Sequence, residues 1–476
     1  DNNSYIKESG SGDLLIKATQ IKLQDASGSD YLRGFTGGAV YLHNAGGTKF
    51  ETTSTGVHVT GEVSASQDYP TVRPTLNLNF TSSKKLDPRF TYRRKGPASY
   101  VNEFGKVVLV SDNVPRFDYG YEYVNANSYK LSRGESKGLL LEGPGTNLVS
   151  YSIYDGDKSG TAQTSTGDTG NWTLTLGHAT LTGGIDAPDG SDDAVRFTSL
   201  NTGFTLLRIA IPAFTPNGSD DYTLSFYARA ISGTGTLMCD LQDGAPLLNG
   251  WTNNLITNEW VRIVVIGVPS NASKTFLDLV SNSNTNRVID FWGVQLEQGR
   301  LPTSFIPTRG ATVQRGAEDL KIDGEEFTNF YNPLESTVVC EFDSFNWLTY
   351  NNNQYERLWA INDGTDNESF SVFKRNSLSN AVRYRVRDGA ANVMGAADYS
   401  YGTSTTPKVA FALKLNDAAV TVNGGTPGGT SDTGIPMPTV DRLTLGNYGI
   451  EANTTNRLHG HLRSFTYYPV KLPDSQ

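Results

Sequence analysis

Cysteine is nearly absent from this chain of 476 residues, and the two that occur, Cys239 and Cys340, fit no CxxC or zinc-site spacing. We therefore expect two buried free thiols in a fold that is stabilised by burial. Histidine is scarce too, with five residues. His459 and His461 lie two positions apart but have no third ligand in view, so the sequence predicts no metal site there.

Long apolar runs and a basic character are also missing. No apolar run approaches the ~18 residues that a membrane span needs, and no signal-peptide pattern opens the chain. Charged residues make up only 19% of the sequence and the net charge is −9. Because a nucleic-acid surface needs a basic face, the sequence predicts neither a nucleic-acid partner nor membrane insertion.

Recognisable catalytic motifs are the third absence. There is no GxSxG, no HExxH and no phosphate-cradling GxxxxGK[ST]. A glycosidase needs two carboxylates across the scissile bond, and the candidate glutamates lie in no such pattern: Glu297, Glu325, Glu326, Glu341, Glu356 and Glu368. We predict that the protein is not an enzyme, with a glycan hydrolase as the main alternative.

The residues that are abundant indicate an all-β chain with several domains. Glycine is frequent, at 49 residues, beside many Thr, Ser, Asn, Tyr and Phe, which is typical of strands joined by turns. Single cores stop growing at roughly 250–300 residues, so the chain is too long for one. We divide it into residues 1–66, 67–137, 138–308 and 309–476.

Residues 1–66 carry short bursts of alternating apolar residues, namely Leu14/Ile16, Ile21/Leu23, Val40/Leu42 and Val57/Val59. Strands with so little apolar surface do not make a monomeric core. The fragments SYIKESGSGDLLIKATQIKLQ and GGAVYLHNAGGTKFETTSTGVHVTGEV resemble the repetitive shafts of bacteriophage tail fibres and tailspikes. That resemblance implies an intertwined homotrimeric β shaft, and a Gly/Ser-rich linker is the alternative.

Residues 67–137, the connector, begin with prolines 70 and 74 and continue with alternating strand signals such as LNLNF. The segment from LNLNF to VPRFDY resembles one that is common in phage tail and host-recognition proteins, where it precedes the next motif as it does here. Within it, the basic cluster Arg93-Arg94-Lys95 is more typical of a solvated face than of a site.

Residues 138–308 predict a two-sheet antiparallel sandwich of the jelly-roll type. Eight strands are expected, at 171–176, 194–198, 204–211, 222–230, 236–241, 260–268, 275–280 and 287–296. Trp172, Trp260 and Trp292 fall inside strand patterns and are expected in the core. The bracketing motifs GLLLEGPGTNLVSYS and DFWGVQLEQG resemble those around carbohydrate-binding-module-like domains of phage tail proteins.

The stretch of residues 290–320, here called the clasp, joins this sandwich to the next. It begins as a strand that ends at Gly299, and Pro302 and Pro307 then favour an extended course. Its segment GVQLEQGRLPTSFIPT resembles the end of the first sandwich in many phage tail proteins. The short, proline-stiffened joint predicts two sandwiches in a fixed relation.

Residues 309–476 predict a second antiparallel sandwich. Its strands are expected at 336–345, 356–361, 369–374, 381–387, 408–415, 418–422, 442–446 and 458–468. The ending, with an LTLG strand followed by GHLRSFTYYPVKL, resembles concanavalin-A-like (laminin-G-like) lectin domains. The resemblance is specific for the fold and says little about a ligand.

Sugars are held by aromatic rings and by short polar side chains that bind the hydroxyls. Loops with that composition supply the candidate glycan-binding residues: Trp251, Asn253 and Asn254; Trp347, Tyr350, Asn352 and Tyr355; and Asp363 and Asn367. The alternatives are a tryptophan that caps the sandwich edge and ordinary Asx or glycine turns.

No cofactor is predicted, and the one option is a structural calcium ion. Carboxylate oxygens bind calcium, and the resemblance to carbohydrate-binding modules implies such a contact at Asp290. The acidic loop with Asp186, Asp189, Asp192 and Asp193 is more typical of a solvated turn.

These resemblances together imply a phage tail fibre or receptor-binding protein located in the virion. It would be a homotrimer whose N-terminal end meets other tail or baseplate proteins and whose sandwiches bind host cell-surface polysaccharide. Trimerisation would raise weak sugar binding through avidity. The alternatives are a tailspike depolymerase and a purely structural tail or collar fibre.

Overall fold

The computed structural model describes residues 15–474, except 55, 61–71, 126–127, 164–170, 176, 201–204, 233–236, 242–257, 282–286, 345–354, 366, 376–379, 390, 395–397, 432–433 and 448–455. The chain divides into two compact units, Asp1–Thr71 and Val72–Gln476. The described residues form antiparallel sheets and two helices of four and five residues, which confirms the all-β prediction. Neither of these helices is long and apolar enough to cross a membrane.

The described residues of the first unit form a five-stranded sheet whose strands follow chain order, here called the shaft sheet. Its strands are β1 (Gln20–Gln24), β2 (Asp30–Phe35), β3 (Val40–Asn44), β4 (Gly47–Thr53) and β5 (Gly56–Val59). The register aligns one apolar residue from every strand in a single row, Leu23, Leu32, Leu42, Phe50 and Val59. Paired residues of an antiparallel sheet point to the same side, so this row lies on one face. None of the described shaft residues is buried.

The connector and the residues directly after it form short elements. They are β6 (Leu76–Asn79), α1 (Phe80–Ser83), β7 (Thr91–Arg93), β8 (Ala98–Val101), β9 (Val107–Val110), β10 (Phe117–Asp118), β11 (Tyr121–Asn125), β12 (Ser128–Leu131), β13 (Gly138–Leu141) and β14 (Gly145–Asn147). Strands β8 and β9 pair only with each other among the described residues.

The described part of the first sandwich adds nine strands. They are β15 (Trp172–Leu174), β16 (Ala179–Ile185), β17 (Ala194–Ser199), β18 (Thr205–Phe214), β19 (Tyr222–Ser232), β20 (Leu237–Asp240), β21 (Val261–Gly267), β22 (Lys274–Ser281) and β23 (Val288–Gln298). A seven-stranded sheet, β11-β12-β21-β19-β23-β17-β16, faces a four-stranded sheet, β15-β18-β22-β20, across an apolar core. All eight predicted strands are confirmed. The additional strand β16 has the sequence ATLTGGI, whose two glycines weaken the strand signal.

The second sandwich follows. Its elements are β24 (Val313–Arg315), β25 (Asp319–Asp323), α2 (Gly324–Thr328), β26 (Glu335–Phe342), β27 (Tyr355–Asn362), β28 (Glu368–Arg375), β29 (Ala381–Asp388), β30 (Ala391–Met394), β31 (Tyr399–Ser400), β32 (Lys408–Lys414), β33 (Asp417–Val422), β34 (Gly428–Ser431), β35 (Arg442–Leu445) and β36 (Gly460–Tyr468). Two eight-stranded sheets enclose its core. The eight predicted strands are again confirmed, and the shorter strands between them were not predicted.

The connector supplies strands to both sandwiches. Strands β11 and β12 extend the seven-stranded sheet of the first sandwich through β21. Strands β6, β10 and β13 join one sheet of the second sandwich, and β7 joins the other. Strand β13 carries the GLLL sequence that was predicted to open the first sandwich, yet it pairs with β36 of the second. The two sandwiches therefore share one continuous segment of chain.

A buried cluster of arginines and glutamates links this segment to the clasp. Arg116 pairs with Glu142 at 2.8 Å and with Glu318, and Arg315 pairs with Glu142 at 2.7 Å. Arg94 lies 3.3 Å from Glu318, and its side chain is fully buried. The prediction of a solvated face was thus wrong for Arg94, because its partner Glu318 lies far away in the sequence.

Electrostatics keep this cluster charged in spite of its burial. Burial alone would raise the pKa of Glu142, but Arg315, Arg116 and hydrogen bonds from Ser304 outweigh it and hold that pKa well below its usual range. For a buried ion pair, removing one partner leaves an uncompensated charge, which is strongly destabilising. The clasp thus contributes charged groups to the interior, in addition to its proline-stiffened backbone.

The prediction of buried free thiols is confirmed. Cys239 and Cys340 are both buried and form no disulfide. Burial raises the pKa of the Cys340 thiol, so the group stays protonated and behaves as a small apolar side chain.

Candidate functional site

A cleft of about 760 Å³ lies between the connector and the first sandwich. Ligand pockets commonly occupy about 300–1,000 Å³. The connector contributes Phe104, Gly105, Lys106, Glu122, Lys130, Leu131, Arg133 and Gly134, and the sandwich contributes Asp186, Ala187, Pro188, Gly190, Arg229, Asn258, Glu259 and Trp260. The site is therefore incomplete without the connector.

The turn between β8 and β9 forms one rim of the cleft. The side chain of Asn102 accepts hydrogen bonds from the backbone N–H groups of Phe104 and Lys106, both at 3.0 Å. Gly105 adopts a φ of +67°, and a Cβ at this position would lie 2.7 Å from Cγ of Arg133. Only glycine fits such a turn without strain. The turn leaves the ring of Phe104 68% exposed at the rim.

Beside the turn, the hairpin β11–β12 carries an ion pair. Nζ of Lys130 lies 2.8 Å from Glu122, and both side chains are almost half exposed. The hydroxyl of Ser132 also donates to Glu122 at 3.0 Å. The hydrogen bond from Lys130 lowers the pKa of Glu122, so this carboxylate is ionised at neutral pH.

The sandwich side of the cleft is organised by Asp290. Its carboxylate is fully buried in the seven-stranded sheet, directly between Arg196 and Arg229 in the register. Nε of Arg229 donates to Asp290 at 2.8 Å, and Nε of Arg196 donates to it at 2.7 Å. The guanidinium of Arg229 also stacks on the ring of Trp260, 4.7 Å from its centroid. An acid on one side and a ring on its face fix the position of this guanidinium.

The carboxylate of Asp290, where a calcium contact was predicted, is already engaged by arginines. Both carboxylate oxygens accept hydrogen bonds from guanidinium groups. Among the described residues, no group of three or more His, Cys, Asp or Glu side chains is arranged to hold a metal ion.

A second cavity, of about 30 Å³, is lined mainly by residues of the connector, the clasp and the residues around the start of β36. Its lining includes His459 and His461, and Nε2 of His461 lies 2.8 Å from Oδ2 of Asp118. Burial lowers the pKa of His459. A volume of this size holds about one water molecule, so the cavity is too small for a sugar.

Most of the residues predicted to bind glycan lie outside the described residues: Trp251, Asn253, Asn254, Trp347, Tyr350 and Asn352. Tyr355 begins β27 and packs edge-on against Phe373, with ring centroids 4.8 Å apart. Asp363 accepts hydrogen bonds from the backbone and hydroxyl of Thr365, and the hydroxyl of Thr365 accepts one from the N–H of Asn367. Asp363 thus forms an Asx turn with Thr365, and Asn367 follows through the hydroxyl of Thr365. The described candidates do not line the cleft.

The cleft residues were missed because their sequence signals favoured other roles. Trp260 falls in a strand pattern and was expected in the core with Trp172 and Trp292. The latter two are fully buried, whereas Trp260 packs against a core and also lines the cleft. Asp186 belongs to the loop that was predicted to be a solvated turn. The signal that would have found the site is pairing between the connector and β21, which is not visible in the sequence.

No protein-family model and no curated protein sequence matches the chain. Among solved structures, it is similar to the CBM40 of a Ruminococcus gnavus IT-sialidase, with 16% identity, a TM-score of 0.24, and coverage of 30% of this chain and 80% of that chain. It is also similar to the CBM22-1-CBM22-2 tandem domain of Paenibacillus barcinonensis Xyn10C, with 10% identity, a TM-score of 0.23, and coverage of 69% and 98%.

A third similar structure is the Trypanosoma rangeli sialidase in complex with the inhibitor DANA, with 10% identity and a TM-score of 0.24. The match covers 86% of this chain and 97% of the sialidase chain. Likeness at this level does not identify a ligand or a reaction.

Proposed function

We propose that the protein is the receptor-binding fibre of a phage tail, and that it attaches the virion to host-surface polysaccharide by binding glycan in the cleft without cleaving it. The observation that carries the glycan part is the composition of the cleft. It offers the rings of Phe104 and Trp260 next to the amide of Asn258 and several charged side chains. Rings that stack on sugar C–H faces, with polar groups for the hydroxyls, are what a glycan site requires.

The shaft sheet supports the proposed homotrimer. Its apolar row is poorly covered in the single chain, with Leu23 58% exposed and Leu42 42% exposed. Contiguous exposed apolar surface marks an interaction site. Three copies that pack these faces together would bury the row, and the N-terminal end would remain for other tail or baseplate proteins.

Trimerisation would suit a shallow cleft. Three linked sites bind together, and avidity exceeds single-site affinity by on the order of 10²–10⁴. Each site is then free to release its sugar while the virion stays attached.

The carboxylate of Glu122 favours binding over acid catalysis. A glycosidase needs a general acid whose pKa is raised. The pKa of Glu122 is instead lowered, chiefly by its hydrogen bond from Lys130. This is the opposite of what an acid catalyst requires.

The test is binding of the full chain to purified host-surface polysaccharide, together with an assay for new reducing ends. We expect binding without release of reducing ends, and roughly 30-fold weaker affinity for Trp260→Ala, as for a central tryptophan of a binding site. Phe276→Ala is the matched control, because Phe276 also stacks under an arginine, Arg208 at 4.7 Å, but on the other sheet. Sustained release of reducing ends would replace the binder with a depolymerase, and absence of any glycan binding would favour a structural fibre.

A further inference from the structure

Arg229 is held in a way that suits recognition of an anion. Its Nε donates to the buried Asp290, its ring partner is Trp260, and its Nη2 reaches the backbone oxygen of Asp186 only at 3.5 Å. The side chain is 22% exposed, and it lines the cleft. A guanidinium fixed in this way loses little conformational entropy when its planar fork meets a carboxylate.

Two further cations stand on the connector side of the cleft. Lys106 and Arg133 are exposed, and the described residues provide no carboxylate within ion-pair distance of either. Arg133 lies across Gly105, and Nζ of Lys106 would be 3.5 Å from a Cβ at Gly190. Although the whole chain carries a net charge of −9, the connector holds twelve Lys and Arg against seven Asp and Glu. It therefore brings local positive charge to the cleft.

The acidic side chains of the cleft are mostly compensated. Glu122 is paired with Lys130, which also feels the charge of Glu259. Asp290 lies between two arginines, so the group of Arg196, Asp290 and Arg229 keeps one positive charge. Asp186 and Glu259 are the other carboxylates of the lining, which also contains the cations Lys106, Lys130, Arg133 and Arg229. With Glu122 the lining thus holds three carboxylates and four cations.

We infer that the cleft recognises a sugar residue that bears a carboxylate, with Arg229 as its partner and Lys106 and Arg133 as supporting cations. This inference rests on the proposed glycan binding and narrows it to acidic glycans such as uronic-acid polysaccharides. The ring of the acidic sugar would lie beside Trp260, and the connector cations would meet its carboxylate from the opposite rim.

A second acid–arginine–ring arrangement in the same sandwich provides an internal control. Arg208 donates to Asp278 through Nε and Nη2, both at 2.8 Å, and stacks on Phe276. It does not line the cleft. The arrangement alone is therefore a feature of sheet packing, and the cleft with its connector cations distinguishes Arg229.

The test begins with an array of acidic and neutral bacterial glycans probed with the full chain. For the strongest acidic ligand, titration calorimetry then compares the oligosaccharide with the same oligosaccharide after reduction of its carboxylates to primary alcohols. We expect the array hits to be acidic, carboxyl reduction to weaken binding roughly 10- to 100-fold, and Arg229→Met to cause a loss of similar size, because hydrogen bonds to charged groups are lost.

The controls separate recognition from folding. Arg208→Met should bind like the wild type, and Arg229→Lys should keep part of the affinity because it retains charge but not the planar fork. Lys106→Ala and Arg133→Ala alter exposed residues, so they are expected to fold normally and to reduce both affinity and its dependence on salt. Arg196 still pairs with Asp290 in Arg229→Met, so the carboxylate is not left without a partner.

Four outcomes would overturn the inference. Hits confined to neutral glycans, or an affinity that is unchanged by carboxyl reduction, would leave the proposed glycan binding intact and remove the acidic specificity. Equal losses in Arg229→Met and Arg208→Met would assign both arginines to folding. Absence of any glycan hit would remove the proposed function as well.

Discussion

The shaft sheet and the seven-stranded sheet of the first sandwich are built from similar antiparallel strands and differ in what covers them. In the seven-stranded sheet, Phe226 faces one core and its neighbour Tyr227 faces another, and both are fully buried. In the shaft sheet, Leu42 and its neighbour Tyr41 also point to opposite faces, yet no residue of the described shaft is buried.

The difference shows that alternation determines which face is apolar but not what covers it. The second face of the seven-stranded sheet is covered by connector residues such as Val101 and Val107, which lie far in the sequence from its central strands β19 and β23. The shaft sheet has no comparable segment among the described residues of its unit. In the proposed trimer, identical faces of other copies, which have the required composition, would supply this cover.

The largest expected effect follows from this contrast. Leu42→Asp should convert the proposed trimer into monomers, because three carboxylates would enter the buried axis at a cost of several kcal/mol per ion. Analytical ultracentrifugation of the full chain gives the molar mass. Lys22→Asp is the control, since Lys22 pairs with Arg33 on the opposite face of the sheet, and it should leave the trimer intact. A wild-type monomer, or a trimer that survives Leu42→Asp, would rule out the apolar row as the interface.

The next effect concerns the buried charges that hold the connector. Glu142→Gln should lower the free energy of unfolding by about 3–5 kcal/mol, because Arg116 and Arg315 lose a common partner inside the protein. Glu122→Gln breaks an ion pair that is nearly half exposed, and should cost at most about 1 kcal/mol. Urea unfolding at pH 7 compares the two. Equal, small losses would mean that the cluster is not a main stabilising element.

Glu142 also determines how the stability of the fold changes in acid. The pKa of Glu142 in the fold lies well below the ordinary 4.5, so its contribution is present above about pH 4.5 and is lost as the pH falls below it. The acid loss of stability should therefore be shallower in Glu142→Gln than in the wild type. Burial raises the pKa of Glu297. Its effect on stability is therefore opposite to that of Glu142, because its contribution is lost as the pH rises. An identical acid slope in both proteins would contradict the assignment to Glu142.

The sequence predicted what depends on local pattern. Strands such as β19 and β23 follow from alternating apolar residues and were confirmed, as was the burial of Trp172 and Trp292. It did not predict features that depend on distant pairing. Arg94 meets Glu318, and Arg229 meets Asp290, across long stretches of chain, so neither environment is visible in the residues nearby.

The cleft illustrates the same limit. Its lining comes from the β8–β9 turn, the β11–β12 hairpin, the loop after β16, β19 and the start of β21. Each segment looks ordinary by itself. The two sides are brought together by the pairing of β12 with β21 and by the hydrogen bond from the N–H of Val107 to the backbone oxygen of Pro188 at 3.1 Å. Loops rich in tryptophan and asparagine, such as the one with Trp251, carried the stronger local signal.

The smallest expected effect tests whether the β8–β9 turn at the rim of the cleft contributes to glycan binding. Gly105→Ala places a Cβ 2.7 Å from Cγ of Arg133 at a φ of +67°. The left-handed backbone costs an L-residue about 1–2 kcal/mol, and the contact should also displace Arg133 from the cleft. We expect a loss of stability in that range and an affinity for acidic glycan that falls several-fold, as measured by thermal unfolding and titration calorimetry.

Gly402→Ala separates the effect of the left-handed backbone from the effect of displacing Arg133. Gly402 has a φ of +59°, and nothing lies within 4 Å of the place that its Cβ would take, so the substitution carries the backbone penalty without the collision. Its stability should fall about as much as that of Gly105→Ala, while its affinity for glycan stays at the wild-type value. If both variants bind alike, the position of Arg133 does not contribute to recognition, and the acidic specificity would depend on Arg229 and Lys106 alone.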